Sequence, residues 1–181
     1  MRRALLVGAL ALALTGCAGN SDPSTVTGPP PGQGSALSAC ATVPPTAAAP
    51  AGATLDLTRK PVVEVPDTPA PCDLQLIDLV VGKGAEAKAG STVSVKYLGL
   101  LYQDGKEFDS SWKRGPDSVL PPFMLGSGGV IPGFDKGTTG MRVGGRREVV
   151  IPSKDGYGPD GQGPIPPGAA LIFVIDLVKV A

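Results

Sequence analysis

Apolar and polar residues fall into two textures along this chain, and the change comes after residue 53. Residues 74–81, LQLIDLVV, form an apolar run bounded by Pro71 and by Gly82-Lys83-Gly84, which reads as a strand. Residues 92–101, TVSVKYLGLL, alternate: Val93, Val95 and Tyr97 share one face, and Thr92, Ser94 and Lys96 share the other. A turn at Gln103-Asp104-Gly105 leads into KEF. The stretches 122–126 (PFMLG), 146–152 (RREVVIP) and 170–180 (ALIFVIDLVKV) read as further strands. One helix is predicted, over 132–139, with Pro132 in its first turn and Gly140 as its stop. This order predicts an α+β fold in which an antiparallel sheet packs one face on a single short helix.

The aromatic residues on or near that face are Tyr97, Phe108, Phe123, Phe134, Tyr157 and Phe173. Filling a core is their ordinary role. Their neighbours suggest another: Phe108 precedes Asp109, Phe134 follows VIPG, and Tyr157 lies in the loop DGYGPDGQGPIPPG. A core ring does not need glycine- and proline-rich loops around it.

Before residue 54 the texture differs. Arg2 and Arg3 precede the apolar run 4–14, which is too short to span a bilayer comfortably, and Leu14-Thr15-Gly16-Cys17 follows. This pattern resembles a bacterial lipoprotein signal. The expected organisation is a signal peptide over 1–16, a lipidated Cys17 with a flexible tether over 17–56, and a folded domain over 57–181. Residues 18–53 are rich in Gly, Ser, Thr, Pro and Ala with almost no charge, a composition that spans about 30–35 Å as a coil. Palmitate-like chains contribute about 0.8 kcal/mol per buried methylene, so several of them anchor stably. The expected location is the extracytoplasmic face of the cell membrane. There Cys40 and Cys72 meet oxidising surroundings; an internal bridge, two free thiols and pairing with another chain all remain open.

Charge and composition exclude several chemistries. Sixteen Lys and Arg balance sixteen Asp and Glu, so no overall field draws nucleic acid, and the arginines of GMRVGGRREVV read as solvated at a strand entry. Histidine is absent, which removes the usual general base and any Ser-His or Cys-His nucleophile. No cluster suggests a metal or other cofactor. Asp109 therefore reads as a turn cap towards Ser110 or Ser111, or as a fixed charge at the edge of an apolar pocket.

Four motifs in register, VKYLGLLYQDGKEFDSS, FMLGSGGVIPGFDKGTTGMRVGGRREVVIP, GYG and IPPGAALIFVIDLVKV, resemble the FKBP-type peptidyl-prolyl cis–trans isomerases. The resemblance implies a half-open sheet wrapped on the helix, with a shallow apolar cavity between them. It implies pocket roles for Tyr97, Phe108, Asp109, Val130, Ile131, Phe134, Tyr157, Ile165 and Phe173, with Phe123 as a packing ring. Asp109 becomes a charge at the pocket edge, held by Tyr97 and Arg114. The implied substrates are X-Pro bonds of exported polypeptides, with a macrolide as a candidate ligand and the domain acting as a monomer. A module that only holds proline-rich segments is the alternative on the same fold. The chain departs from the pattern at Phe134, where well-studied members carry tryptophan, at Pro121, where an aromatic is common, and in the longer segment 112–122.

Overall fold

The computed structural model describes residues 40, 41 and 55–181, so the expected signal peptide, Cys17 and most of the expected tether lie outside the described residues. The strands are β1 (Gln75–Val80), β2 (Thr92–Leu101), β3 (Glu107–Ser110), β4 (Phe123–Met124), β5 (Arg146–Ile151) and β6 (Leu171–Val180), and the helix is α1 (Pro132–Thr138). They form one antiparallel sheet in the order β1-β5-β6-β2-β3, with β4 paired to β2. The helix ends one residue earlier than its sequence pattern, because Thr139 is already extended at φ −62° and ψ 135°.

The inner face carries the alternation expected of β2. Val93, Val95 and Tyr97 join Val149 and Ile151 of β5 and Leu171, Phe173, Ile175 and Leu177 of β6 in one core. Helix α1 lies against it unusually closely. A Cβ on Gly133 would come within 2.4 Å of Ile151 Cγ2, and one on Gly137 within 2.8 Å of Val149 Cγ2. Glycine costs a helix interior about 1 kcal/mol relative to alanine. Here it lets the helix backbone reach β5, and the approach sets the depth of Phe134.

The outer face is covered as well. Leu98, Leu100, Tyr102, Val150, Ile172 and Val174 form a second apolar cluster, on which Val63, Val65 and Ala70 pack from the chain ahead of β1. That strap is tied along its length. The Arg146 guanidinium donates to the carbonyls of Asp56 and Arg59, both at 3.1 Å, and Lys60 pairs with Glu107 at 2.6 Å. At its end Cys72 is joined by a disulfide to Cys40, and Ala41 bridges Pro71.

Of the arginines in GMRVGGRREVV, Arg142 is exposed as expected and pairs with Glu86, but Arg146 and Arg147 at the start of β5 are buried, contrary to the solvated state expected for them. Arg146 is 0% exposed and donates to both carboxylate oxygens of Asp176, at 2.5 and 2.6 Å. Arg147 pairs with Asp78 and donates to the Gly137 and Thr139 carbonyls at the end of α1. A buried guanidinium is tolerated when acceptors meet its N–H groups, and the strap and helix end supply them.

Candidate functional site

The pocket opens between the inner face of the sheet, α1 and two loops. It is a hollow of about 210 Å³ lined by Tyr97, Phe108, Asp109, Leu120, Gly129, Val130, Ile131, Phe134, Tyr157 and Phe173. Each wall has a local origin. Tyr97 belongs to the alternating inner set of β2, and Phe173 stands two strands' width from Phe108 across β2, where Gly99 pairs with both strands. A side chain at Gly99 would come within 2.7 Å of Phe108 Cζ and 3.0 Å of Phe173 Cε1. The missing Cβ lets these rings meet edge to face, with centroids 5.5 Å apart and planes at 82°.

Phe134 forms the floor. Its centroid lies 5.1 Å from that of Phe173 at 83° and 6.1 Å from that of Tyr97 at 89°. Phe123 backs it from behind at 6.0 Å. Pro132 begins the helix without a backbone donor, and Ile131 precedes it in an extended conformation. Among the described residues the Ile131 amide has no protein acceptor, which leaves it available at the pocket.

Asp109 is fixed rather than loose. The Tyr97 hydroxyl donates to its Oδ2 at 2.5 Å and the Ser110 amide to its Oδ1 at 2.7 Å. The Arg114 guanidinium stands 4.0 Å from Oδ1 and 5.9 Å from the centre of the Tyr97 ring. The two readings left by the sequence therefore share one residue, since the carboxylate caps its own turn and edges the pocket. Burial, and then the hydrogen bond to Asp109, push the Tyr97 phenol above its ordinary value. Burial and the Asp109 charge do the same for Tyr157. Both hydroxyls thus stay protonated donors at neutral pH.

Eight of the nine residues expected at the pocket line it. Ile165 does not: it is 5% exposed and belongs to the main core cluster, with its backbone paired to Gln162. Leu120 and Gly129 line the pocket without having been singled out. Leu120 sits in the proline-rich segment 112–122, whose irregular spacing carries no period, so its inward direction had no signal in the sequence.

An apolar hollow holding one fixed carboxylate and two phenol donors, between a half-open sheet and a short helix, is the pocket of a proline-recognising isomerase. Residues 83–178 match the family model described as FKBP-type peptidyl-prolyl cis-trans isomerase. The chain is 47% identical to "Probable FK506-binding protein" of Corynebacterium glutamicum over 121 residues, covering 67% of this chain and 98% of that protein. It is 50% identical to "FK506-binding protein" of Streptomyces anulatus over 124 residues, with the same coverage of each. Among solved structures, it resembles AtFKBP13 with a TM-score of 0.55 at 38% identity, covering 61% of this chain and 95% of that one. FkpA from Escherichia coli matches with a TM-score of 0.53 at 41% identity, over 59% of this chain and 47% of that one. The chain belongs to the FKBP-type peptidyl-prolyl cis–trans isomerases, and its activity is the interconversion of X-Pro bonds.

Proposed function

We propose that the isomerase is exported, anchored through lipid on Cys17, and turns X-Pro bonds of polypeptides outside the cytoplasmic membrane by desolvation and fixed dipoles alone. The observation that carries the mechanism is the Tyr97-locked carboxylate at the mouth of a ring-lined hollow. Rotation of a peptide bond is opposed by about 18–20 kcal/mol of lost resonance. Planar amide resonance separates charge, and water stabilises that form more than the twisted one. A hollow that excludes water weakens the bias. Phe134, Phe173, Val130 and Ile131 receive the proline ring, while the Ile131 amide and the Tyr157 hydroxyl hold neighbouring carbonyls. Asp109 acts through its field on the carbonyl that turns. Only interactions stronger at the twisted geometry speed the step, and each tenfold requires about 1.4 kcal/mol.

The export reading is supported by the run that ends in LTGC and by a disulfide that suits oxidising surroundings. A macrolide is a reasonable pocket ligand, given the names of the relatives. Two measurements test the proposal. Exchange spectroscopy of a proline tetrapeptide with a form beginning at residue 37 should show catalysed interconversion at equal rates in H2O and D2O. A solvent isotope effect above about twofold would mean that a proton moves in the transition state. In cells, the full chain should fractionate with membranes and Cys17→Ser should not; identical fractionation of the two removes the anchor.

A further inference from the structure

The segment after β3 carries two groups at the pocket, Arg114 beside Tyr97 and Leu120 in the wall, yet between residues 115 and 122 it has no regular structure. Its ends are tied to the backbone of β2. At one end the Tyr97 amide donates to Ser111 Oγ at 3.1 Å; at the other the Leu120 amide donates to the Val95 carbonyl at 2.8 Å. The residue between those anchors on β2 is Lys96, and its side chain reaches the loop's middle. Its ammonium donates to the Pro116 carbonyl at 2.6 Å, lies 4.8 Å from the centre of the Trp112 ring and stands 3.7 Å from Asp117. The Lys96 side chain is only 15% exposed, so the carbonyl and ring contacts are made largely out of water. Asp117 is fully exposed and adds little.

We infer that Lys96 is a positioning residue: it staples the 111–122 loop over the edge of β2, so that Leu120 is held as an apolar rim contact for the side chain next to the substrate proline. This rests on the isomerase reading and adds a determinant of which peptides are turned well. The ring of the proline occupies the aromatic floor formed by Phe134 and Phe173, so the flanking side chain lies at the rim. With the staple intact, Leu120 joins Val130 and Ile131 in the lining as a pre-ordered aliphatic surface. With it removed, the Leu120 anchor to Val95 has no ordered loop behind it, so Leu120 is packed only when a side chain before the proline uses it, and the ordering cost falls on those peptides.

The experiment compares wild type, Lys96→Met, Lys96→Arg and Trp112→Leu of the disulfide-intact protein on tetrapeptides carrying Leu, Ala or Glu before proline. Melting curves are recorded for each variant. Lys96→Met is expected to raise KM for the Leu peptide by roughly tenfold, the low end of what one aliphatic group contributes in an apolar pocket, with kcat changed less than about twofold. The Ala and Glu peptides should be nearly unaffected. Lys96→Arg, which still donates and stacks, should restore the Leu preference, and Trp112→Leu should weaken it even if Lys96→Met folds poorly. A Leu:Ala:Glu profile in Lys96→Met and Trp112→Leu identical to that of wild type overturns the assignment while leaving the isomerase reading intact. An equal loss on all three peptides, not restored by Lys96→Arg, also overturns it and makes Lys96 merely structural. A wild type that turns none of the peptides defeats the isomerase reading itself, and this inference with it.

Discussion

At Asp109 two demands meet in one side chain. A carboxylate at the rim of an apolar pocket is tolerable only with donors, and Tyr97 and the Ser110 amide provide them from the pocket wall and from the same turn. The field at the rotating carbonyl therefore has a fixed origin. Asp109→Leu should lower kcat/KM on a proline tetrapeptide by roughly tenfold or more, about 1.4 kcal/mol, with a melting temperature close to that of wild type. Unchanged turnover would remove Asp109 from the mechanism. Gly99 matters in the opposite way, through what it lacks. Gly99→Ala puts a methyl where the rings of Phe108 and Phe173 meet, so it should displace Phe108 and weaken peptide binding as seen by titration. Overpacking of this kind costs typically about 1–3 kcal/mol of stability, and an unchanged melt together with unchanged affinity would show that the rings have other room.

Among the elements, the alternation in TVSVKY and the Pro-to-Gly span of the helix were legible because each follows a period set by backbone geometry alone. The pocket rings were legible only through motif context, since a ring in a wall and a ring in a core share one pattern. Ile165 shows the limit: its motif placed it near the site, but its direction depends on how the 158–168 loop folds back on itself. The arginines of β5 were misread because strand pattern cannot show a partner 30 residues away, as Asp176 is from Arg146. On the face of β5 that carries Arg146 lies Glu148, 4% exposed, paired across the ladder to Ile77 and Val174, and pushed by burial up to about 7. Its folded value exceeds its unfolded one, so the protein binds the proton more tightly when folded. The associated stability is present in full below about pH 4.5 and is lost as pH rises through about 7. Burial raises Asp176 in the same direction, and that contribution survives in a Glu148 variant. Glu148→Gln should therefore melt close to wild type at pH 5 and higher than wild type at pH 8, by the equivalent of about 3 kcal/mol. Parallel melting curves across that range would show that Glu148 titrates normally.

For the molecule as a whole, the half-open sheet is closed from outside by the chain that precedes it. The signal was present in the sequence. YLGLLY (97–102) and LIFVI (171–175) are apolar on both faces, as in strands covered on both sides, and not alternating as in a sheet with one wet face. What the pattern could not supply was the cover, because PVVEV (61–65) is too short and too proline-bound to read as an element of its own. The strap's contacts run to Glu107 on β3, one residue from Phe108, and its Val65 side chain would meet a Cβ placed on Gly105 in the turn before it. The outer cover and the pocket thus share β3, one on each side of the strand. Val65→Asp places a carboxylate against the outer cluster of Leu98, Leu100 and Ile172, and a partly buried valine there contributes part of the roughly 1.5–3 kcal/mol of full burial. It should lower the melting temperature and speed amide exchange in residues 61–71 and in β3, while exchange in β5 and β6 still tracks global unfolding. Loosening of β3 should also reduce kcat/KM, because Asp109 and Phe108 lose the rigidity on which their geometry depends. If amide exchange rises in the strap alone and turnover is untouched, the cover stabilises the sheet but is not coupled to the pocket on its other face.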